Sequence, residues 1–251
     1  MSRRRRMSAA EHTAIKRADQ ATTRTPWSVE AQFAAGEVHF LWWFIQGSIM
    51  DLETRHRLWH AWGMCERHSF GWLSVEAAFR HCYLHSPAIV YAELMARASR
   101  AFEVSGPLAG ERLARRLRMR GPCLMCDLEL GPDSAGGFIA AERVAEGRDL
   151  TQLRRFMAES EQHWRGTVCG HCDRTAAPPR CRRHLLLDLA GDSAIDIAAH
   201  RALVKQIAVR AERYSMSYRW ERRGTDTAED RAALVSAVGW CSGWNALLSV
   251  L

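Results

Sequence analysis

The chain has 251 residues, of which 47% are hydrophobic and 25% are charged, and its formal net charge is +7 at pH 7. This composition is ordinary for a folded protein of one large domain or two small ones, and a core of that size needs no disulfides. Residues 1–26 hold seven basic and two acidic side chains, which is +5 of the +7. The remaining +2 argues against a large phosphate-binding face on the rest of the chain.

Residues 1–24 are predicted to form a disordered basic leader, and nucleic acid could be bound only through this leader. No secretory signal follows the arginine run, and the most apolar run, residues 40–45, is too short to span a bilayer. We therefore expect a cytoplasmic protein without a membrane segment. In that compartment paired cysteines indicate metal ligands or redox groups rather than disulfides.

Apolar residues recur at helical spacing along the chain, and no segment alternates as a strand would, so the pattern predicts an all-α fold. Proline and glycine punctuate the helices. The predicted helices cover roughly residues 28–50, 51–62, 67–84, 86–101, 110–120, 138–146, 150–164, 181–190, 192–221 and 227–250.

Four short pairs of metal-ligand residues lie at or between these helices. Two residues separate the members of each pair, so a single turn of chain can bring both to one ion. Six thiolates and two imidazoles are enough for two tetrahedral zinc sites, and this donor set suits zinc best, with iron–sulfur next. The pairs are Cys65 with His68, Cys123 with Cys126, Cys169 with Cys172, and Cys181 with His184.

The pairs belong to an internal repeat. In each half, helices and a glycine-marked corner precede a Cys-x-x-His pair that opens an apolar helix, first at Cys65 and again at Cys181. This plan resembles a bacterial family of uncharacterised cysteine-rich helical proteins with duplicated Cys-Pro-x-Cys and Cys-x-x-His units. The resemblance covers roughly residues 25–190 and implies no established activity. Its first motif is degenerate here, because Thr25-Pro26-Trp27-Ser28 stands where Cys-Pro-x-Cys is expected.

Three groupings of the four pairs into two sites are open. The local grouping joins the Cys169 and Cys181 pairs, whose connecting loop of eight residues closes at low entropic cost. The Cys65 and Cys123 pairs then form the other site, and this grouping is slightly favoured. The resemblance implies instead that the Cys123 pair joins the Cys181 pair. A third grouping unites the two Cys-x-x-His pairs and, separately, the two Cys-x-x-Cys pairs.

The resulting domain prediction has four parts. After the leader come a first helical repeat over residues 25–120 with a degenerate metal motif and a second over 121–191 with zinc motifs. C-terminal helices over 192–251 are predicted to pack on the core. The predicted fold is thus two related helical halves with zinc-knuckle-like metal sites at helix starts.

The chain contains no phosphate-cradling glycine loop, nucleophile elbow or Ser/His/Asp arrangement. We therefore predict a zinc-stabilised cytoplasmic binding or regulatory protein, whose partner is an unidentified small molecule or protein.

Two alternatives stay open. The first is an enzyme of specialised metabolism. It would use either a metal half-site at Cys65 and His68 or a pocket in the tryptophan-rich first half, with Glu37 and His39 as its polar residues. The second is a thiol redox or metal sensor that releases zinc on oxidation. The tryptophans in question are Trp42, Trp43, Trp59, Trp62 and Trp72.

Overall fold

A computed structural model of the protein describes residues 33–175, 178–191 and 195–250. The predicted leader and the Thr25–Ser28 motif lie outside the described residues. Within the described ranges the ordered elements are helices, and no strand is found. The prediction of an all-α fold is confirmed.

The helices, in chain order, begin with α1 (Ala35–Phe44), α2 (Leu52–Ala61), α3 (Glu66–Phe79), α4 (His85–Ala101), α5 (Ala109–Leu117) and α6 (Leu124–Asp127). They continue with α7 (Ala141–Gly147), α8 (Thr151–Trp164), α9 (Arg182–Ala190), α10 (Ile197–Met216), α11 (Ala228–Ser242) and α12 (Asn245–Leu248). None of these helices combines the length and the apolar character that crossing a bilayer requires.

Several helices begin at side chains that cap the first turn. Asp51 accepts a hydrogen bond from the Thr54 amide at the start of α2, and Asp196 caps α10 in the same way. Thr227 and Asp230 form a reciprocal capping box at α11. Such caps satisfy amides that have no partner within the helix, so they fix where each helix starts.

Some helix ends differ from the predicted ones. The helix predicted to reach residue 84 ends at Phe79, because His81 and Cys82 have positive φ angles of 47° and 66°. L-residues adopt this left-handed conformation singly and do not propagate a helix through it. The last predicted helix is interrupted at Gly243, whose φ is 130°, so α11 and α12 are separate.

The centre of the molecule is α11, which packs against α4, α8 and α10. A Cβ atom at Gly239 of α11 would lie 2.3 Å from the Trp244 ring, so only glycine lets this indole lie against the helix. Trp244 in turn stacks on Trp164, with ring centroids 6.0 Å apart. Both indoles are fully buried. The chain therefore turns back onto its own core after α11.

Helix α3 positions one of the metal-ligand pairs. It is buried on nearly every side and packs against α1, α7 and α8. Its first residue, Glu66, accepts hydrogen bonds from the Ala246 amide (3.0 Å) and from Asn245 Nδ2 (3.3 Å), which fastens α12 to its start. The chain at Cys65 is thus held between the core and the C-terminal turn.

Candidate metal centres

The structure brings the eight predicted ligands together as two groups of four. Site 1 contains Cys65, His68, Cys123 and Cys126, and site 2 contains Cys169, Cys172, Cys181 and His184. Within each group the ligand atoms all lie within 4.8 Å of one another. Of the three groupings that the sequence left open, this is the local one, in which the Cys169 and Cys181 pairs share a site. Cys65 and His68 are therefore part of a four-residue cluster and not a half-site.

Both Cys-x-x-His pairs use the same helix start. Cys65 and Cys181 are the N-cap residues of α3 and α9, with extended backbones at ψ angles of 169° and 165°. The histidines stand three residues later, in the first turn. The N-cap carbonyl accepts a 2.8 Å hydrogen bond from the residue after each histidine. This local geometry brings a thiol and an imidazole together without any long-range contact.

The Cys-x-x-Cys pairs differ from each other. Cys123 is the N-cap of α6 and Cys126 lies in its first turn, so this pair also uses a helix start. Cys169 and Cys172 lie in a turn, in which the Cys169 carbonyl accepts a hydrogen bond from the Asp173 amide at 3.0 Å. Helix amides carry partial positive charge at the N-terminus, which favours thiolates there.

The distances within each cluster match a tetrahedral ion. In site 1, His68 Nδ1 lies 3.2, 3.4 and 3.5 Å from the three sulfurs. In site 2 the distances from His184 Nδ1 are 3.3, 3.4 and 3.3 Å. Tetrahedral zinc, with its usual bond lengths to sulfur and nitrogen, places these atoms about 3.5 Å apart. Both clusters therefore have the size and donor set that a zinc ion needs.

In each cluster, hydrogen bonds between the thiols lower the pKa of one cysteine and raise that of another, Cys65 in site 1 and Cys172 in site 2. Hydrogen bonds from Cys126 and Cys65 lower the pKa of the Cys123 thiol, although burial opposes the shift. Hydrogen bonds from Cys172 and Cys181 lower the pKa of Cys169 in the same way. Because metal ligands must be deprotonated thiols and neutral imidazoles, a dication would displace the remaining protons from each cluster.

Behind site 1 lies the carboxylate of Glu37. Glu37, predicted as a polar residue of a tryptophan pocket, is fully buried and accepts a hydrogen bond from His68 Nε2 at 3.1 Å. Its other partners are Arg67, at 2.6 and 2.7 Å, and the Ala34 amide, at 2.7 Å. This arrangement fixes the histidine tautomer with Nδ1 directed at the sulfurs, as carboxylate partners of metal-bound histidines do.

Hydrogen bonds stabilise the negative charge of Glu37. Burial alone would raise its pKa, but the hydrogen bonds from Arg67, His68 and the Ala34 amide outweigh it and lower the pKa to about 2. A glutamate inside an otherwise apolar helix was the available signal, because such a residue needs a buried partner. The partner itself, 31 positions away, was not predictable from spacing.

The side chains that surround the ligands of site 2 differ from those around site 1. The His171 ring stacks on His184 with centroids 5.0 Å apart, and His171 Nε2 lies 3.5 Å from Asp188 Oδ1. Arg180 donates to the same carboxylate at 2.8 Å. Site 2 is therefore covered by a partly exposed polar network, whereas site 1 rests on a buried ion pair.

The two sites also expose different thiols. In site 1, Cys126 is exposed, Cys65 is half-buried and Cys123 is buried. In site 2, Cys169 and Cys181 are buried and Cys172 is half-buried. Cys126 is thus the ligand most open to small reagents in solution.

The tryptophans of the first half are divided between core and surface. Trp62 and Trp72 are fully buried, and Trp72 Nε1 donates to Ser86 Oγ at 2.9 Å. Trp43 is 57% exposed and donates to His39 Nε2 at 2.8 Å. A small cleft lined by Trp59, with Arg55, Val90, Glu93 and Leu94, has a volume of about 10 Å³, which is room for one water molecule.

Fold and clusters together define an all-α protein with two candidate Cys₃His metal centres. Comparisons of the chain with protein-family models, with curated proteins and with solved structures find no match.

Proposed function

We propose that the protein is a zinc-stabilised helical binding or regulatory module with two structural zinc ions, working in the reducing environment of the cytoplasm. The observation that carries the proposal is the pair of four-residue Cys₃His clusters of tetrahedral size. A zinc ion with four protein ligands has no open position for water or substrate, which is typical of structural sites. None of the eight cysteines forms a disulfide, which fits a reducing compartment.

The proposal includes a common plan for the two halves. The Cys65 and Cys181 pairs share the N-cap position, the extended N-cap backbone and the position of the histidine. This likeness supports a duplicated unit of the kind that the resembled family carries. The ligand or partner of the module is a small molecule or a protein that its zinc-fixed segments would bind.

Metal analysis of protein purified under reducing conditions tests the proposal. The native chain should carry two zinc ions, and the variants Cys65→Ser/Cys123→Ser and Cys169→Ser/Cys181→Ser should each carry one. Cys82→Ala is the matched control, because Cys82 lies outside both clusters and should leave two ions bound. A zinc content near zero in the fresh, reduced native protein, or visible absorption typical of iron–sulfur clusters, would contradict the proposal.

A second candidate function, redox sensing at site 1, is favoured by the exposure of Cys126. Its sulfur lies 3.7 Å from Cys65 Sγ. Two thiolates, two protons and one hydrogen peroxide molecule would give a disulfide and two waters. The sulfurs are oxidised, the peroxide is reduced, and the ion loses two ligands. Peroxide treatment should then release zinc and give a Cys65–Cys126 disulfide in peptide maps, whereas unchanged zinc occupancy would leave the site purely structural.

A further inference from the structure

Arg182 is a buried cation inside the second Cys-x-x-His pair. It is the first residue of α9, and only 6% of its surface is exposed. Its Nε donates to the Cys241 carbonyl and its Nη1 to the Leu117 carbonyl, each at 3.1 Å. No carboxylate among the described residues pairs with its guanidinium. A charge buried in this way is costly unless another charge offsets it.

Site 2 is a source of negative charge directly beside Arg182 in the chain. Three thiolates, one neutral imidazole and one zinc dication sum to a single net negative charge. Arg182 directly follows Cys181, one of those thiolates. A filled site 2 therefore supplies the counter-charge for the buried guanidinium and also fixes the helix start that carries it.

The same guanidinium reaches toward site 1 through Trp62. Two cations lie near the indole, with the guanidinium carbon of Arg97 3.8 Å from the ring centroid and that of Arg182 5.4 Å from it. Trp62 Nε1 donates to the Arg118 carbonyl at 3.2 Å. Arg182 and Trp62 thus bind the consecutive carbonyls of Leu117 and Arg118.

Both chain segments held in this way lead directly into site 1. Trp62 ends α2 in a left-handed conformation, with a φ of 61°, three residues before Cys65. The carbonyls of Leu117 and Arg118 mark the end of α5, a few residues before Cys123. Arg182 therefore connects the helix start of one site to both approaches of the other.

We propose that the two metal sites are coupled through Arg182 and Trp62, so that zinc at either site raises the zinc affinity of the other. This inference rests on the proposed function. Zinc at site 2 fixes Cys181 and with it Arg182, which orders the segments that deliver Cys65 and Cys123. Because coupling between sites is reciprocal, zinc at site 1 has the same effect on site 2. Coupling between sites is typically worth roughly 5- to 150-fold in affinity.

The first experiment measures zinc affinity at site 1 by chelator competition in the full chain. The variant Cys169→Ser/Cys172→Ser removes two ligands of site 2 and keeps Cys181, the ligand that directly precedes Arg182. Its site 1 should bind zinc at least about fivefold more weakly than site 1 of the native protein with site 2 filled. Unchanged site 1 affinity in a variant with native circular dichroism would overturn the coupling.

The second experiment keeps all eight ligands and changes the connection. Native mass spectrometry at substoichiometric zinc counts chains with no, one or two ions. Arg182→Gln should increase the fraction of chains with one ion relative to the native protein. Trp62→Phe should increase that fraction less, because it keeps an aromatic ring beside Arg182. Arg223→Gln, at an exposed arginine, is the matched control and should match the native protein. Equal one-ion fractions in Arg182→Gln and native protein would contradict the proposal.

The two proposals fail in different ways. Native protein that binds no zinc contradicts the structural role of the clusters. Native protein that binds two zinc ions whose affinities are independent contradicts the coupling alone.

Discussion

The carboxylate of Glu37 accepts hydrogen bonds from three directions at the back of site 1. It meets an imidazole, a guanidinium and a backbone amide, so it ties the start of α1 to the start of α3. Because its pKa is lowered to about 2 by these hydrogen bonds, which outweigh the effect of burial, it stays ionised at pH values above about 2. A constant negative charge at His68 Nε2 keeps the metal-directed nitrogen available.

Replacing Glu37 by Gln should weaken zinc binding at site 1 by roughly 10- to 100-fold, the usual effect of removing such a partner. Gln has one acceptor oxygen and no charge, so it cannot accept from His68 Nε2 at one oxygen and from Arg67 Nη2 and the Ala34 amide at the other. Site 2 is surrounded by other side chains, so its zinc affinity should not change. Chelator competition on each site measures this, with exposed Glu53→Gln as the control. Equal weakening of both sites would show a general effect on folding instead.

Glu76 is a buried carboxylate of the opposite kind. It accepts hydrogen bonds from the Ser86 amide at 2.9 Å and from Trp72 Nε1 at 3.1 Å, so it caps the start of α4. Burial raises its pKa to about 7, and the hydrogen bonds from Ser86 and Trp72 only partly oppose this shift. The folded state therefore prefers the protonated carboxyl, in contrast to Glu37.

The sign of the resulting pH dependence follows from the raised pKa. Below the ordinary glutamate pKa of 4.5 both folded and unfolded chains hold the proton, so Glu76 carries no penalty there. As pH rises through about 7 the penalty reaches its full size, on the order of 3 kcal/mol. Urea unfolding between pH 4.5 and 8 should show a smaller loss of stability for Glu76→Gln than for the native chain. Parallel pH profiles for the two proteins would contradict this assignment.

Among the elements, the corner between α11 and α12 depends on a glycine, Gly239, which has no side chain. The Trp244 indole occupies the place of a Cβ at Gly239. Gly239→Ala should lower the free energy of unfolding by about 1–3 kcal/mol, the usual cost of overpacking a core. Gly166→Ala is the control, because a Cβ there would meet open space. Urea unfolding of both variants measures the difference, and equal stability would rule out close packing at the corner.

Elements were predictable where a local rule decides them. The 3.6-residue period predicted the helices, and the pair spacing predicted the helix starts at Cys65 and Cys181. Local rules failed at His81 and Cys82, because residues other than glycine in the left-handed conformation carry no sequence signal. They also failed for the contacts of Glu37 and Arg182, which join residues 31 and 65 positions apart. Tertiary packing selects such partners.

At the scale of the whole molecule, Cys123, Cys169 and Cys181 pack into the hydrophobic core, but no ligand lies in the four central helices. Helices α4, α8, α10 and α11 pack on one another and contain none of the eight ligands. The ligands lie instead at the starts of α3, α6 and α9 and in the turn after α8. An ion held by each cluster would therefore fix the connecting segments, while apolar burial holds the central helices.

Metal removal should separate these two contributions. Treatment of the reduced, zinc-loaded protein with a strong chelator should raise amide hydrogen exchange by roughly tenfold or more in residues 119–131 and 168–175, which corresponds to about 1.4 kcal/mol or more of local stability. Exchange in α4, α10 and α11 should change little, because their protection comes from the core. Hydrogen exchange with mass spectrometry measures both. Chelation that unfolds the central helices as well would mean that the core is not stable without the ions. No change at either ligand segment would mean that zinc does not hold them.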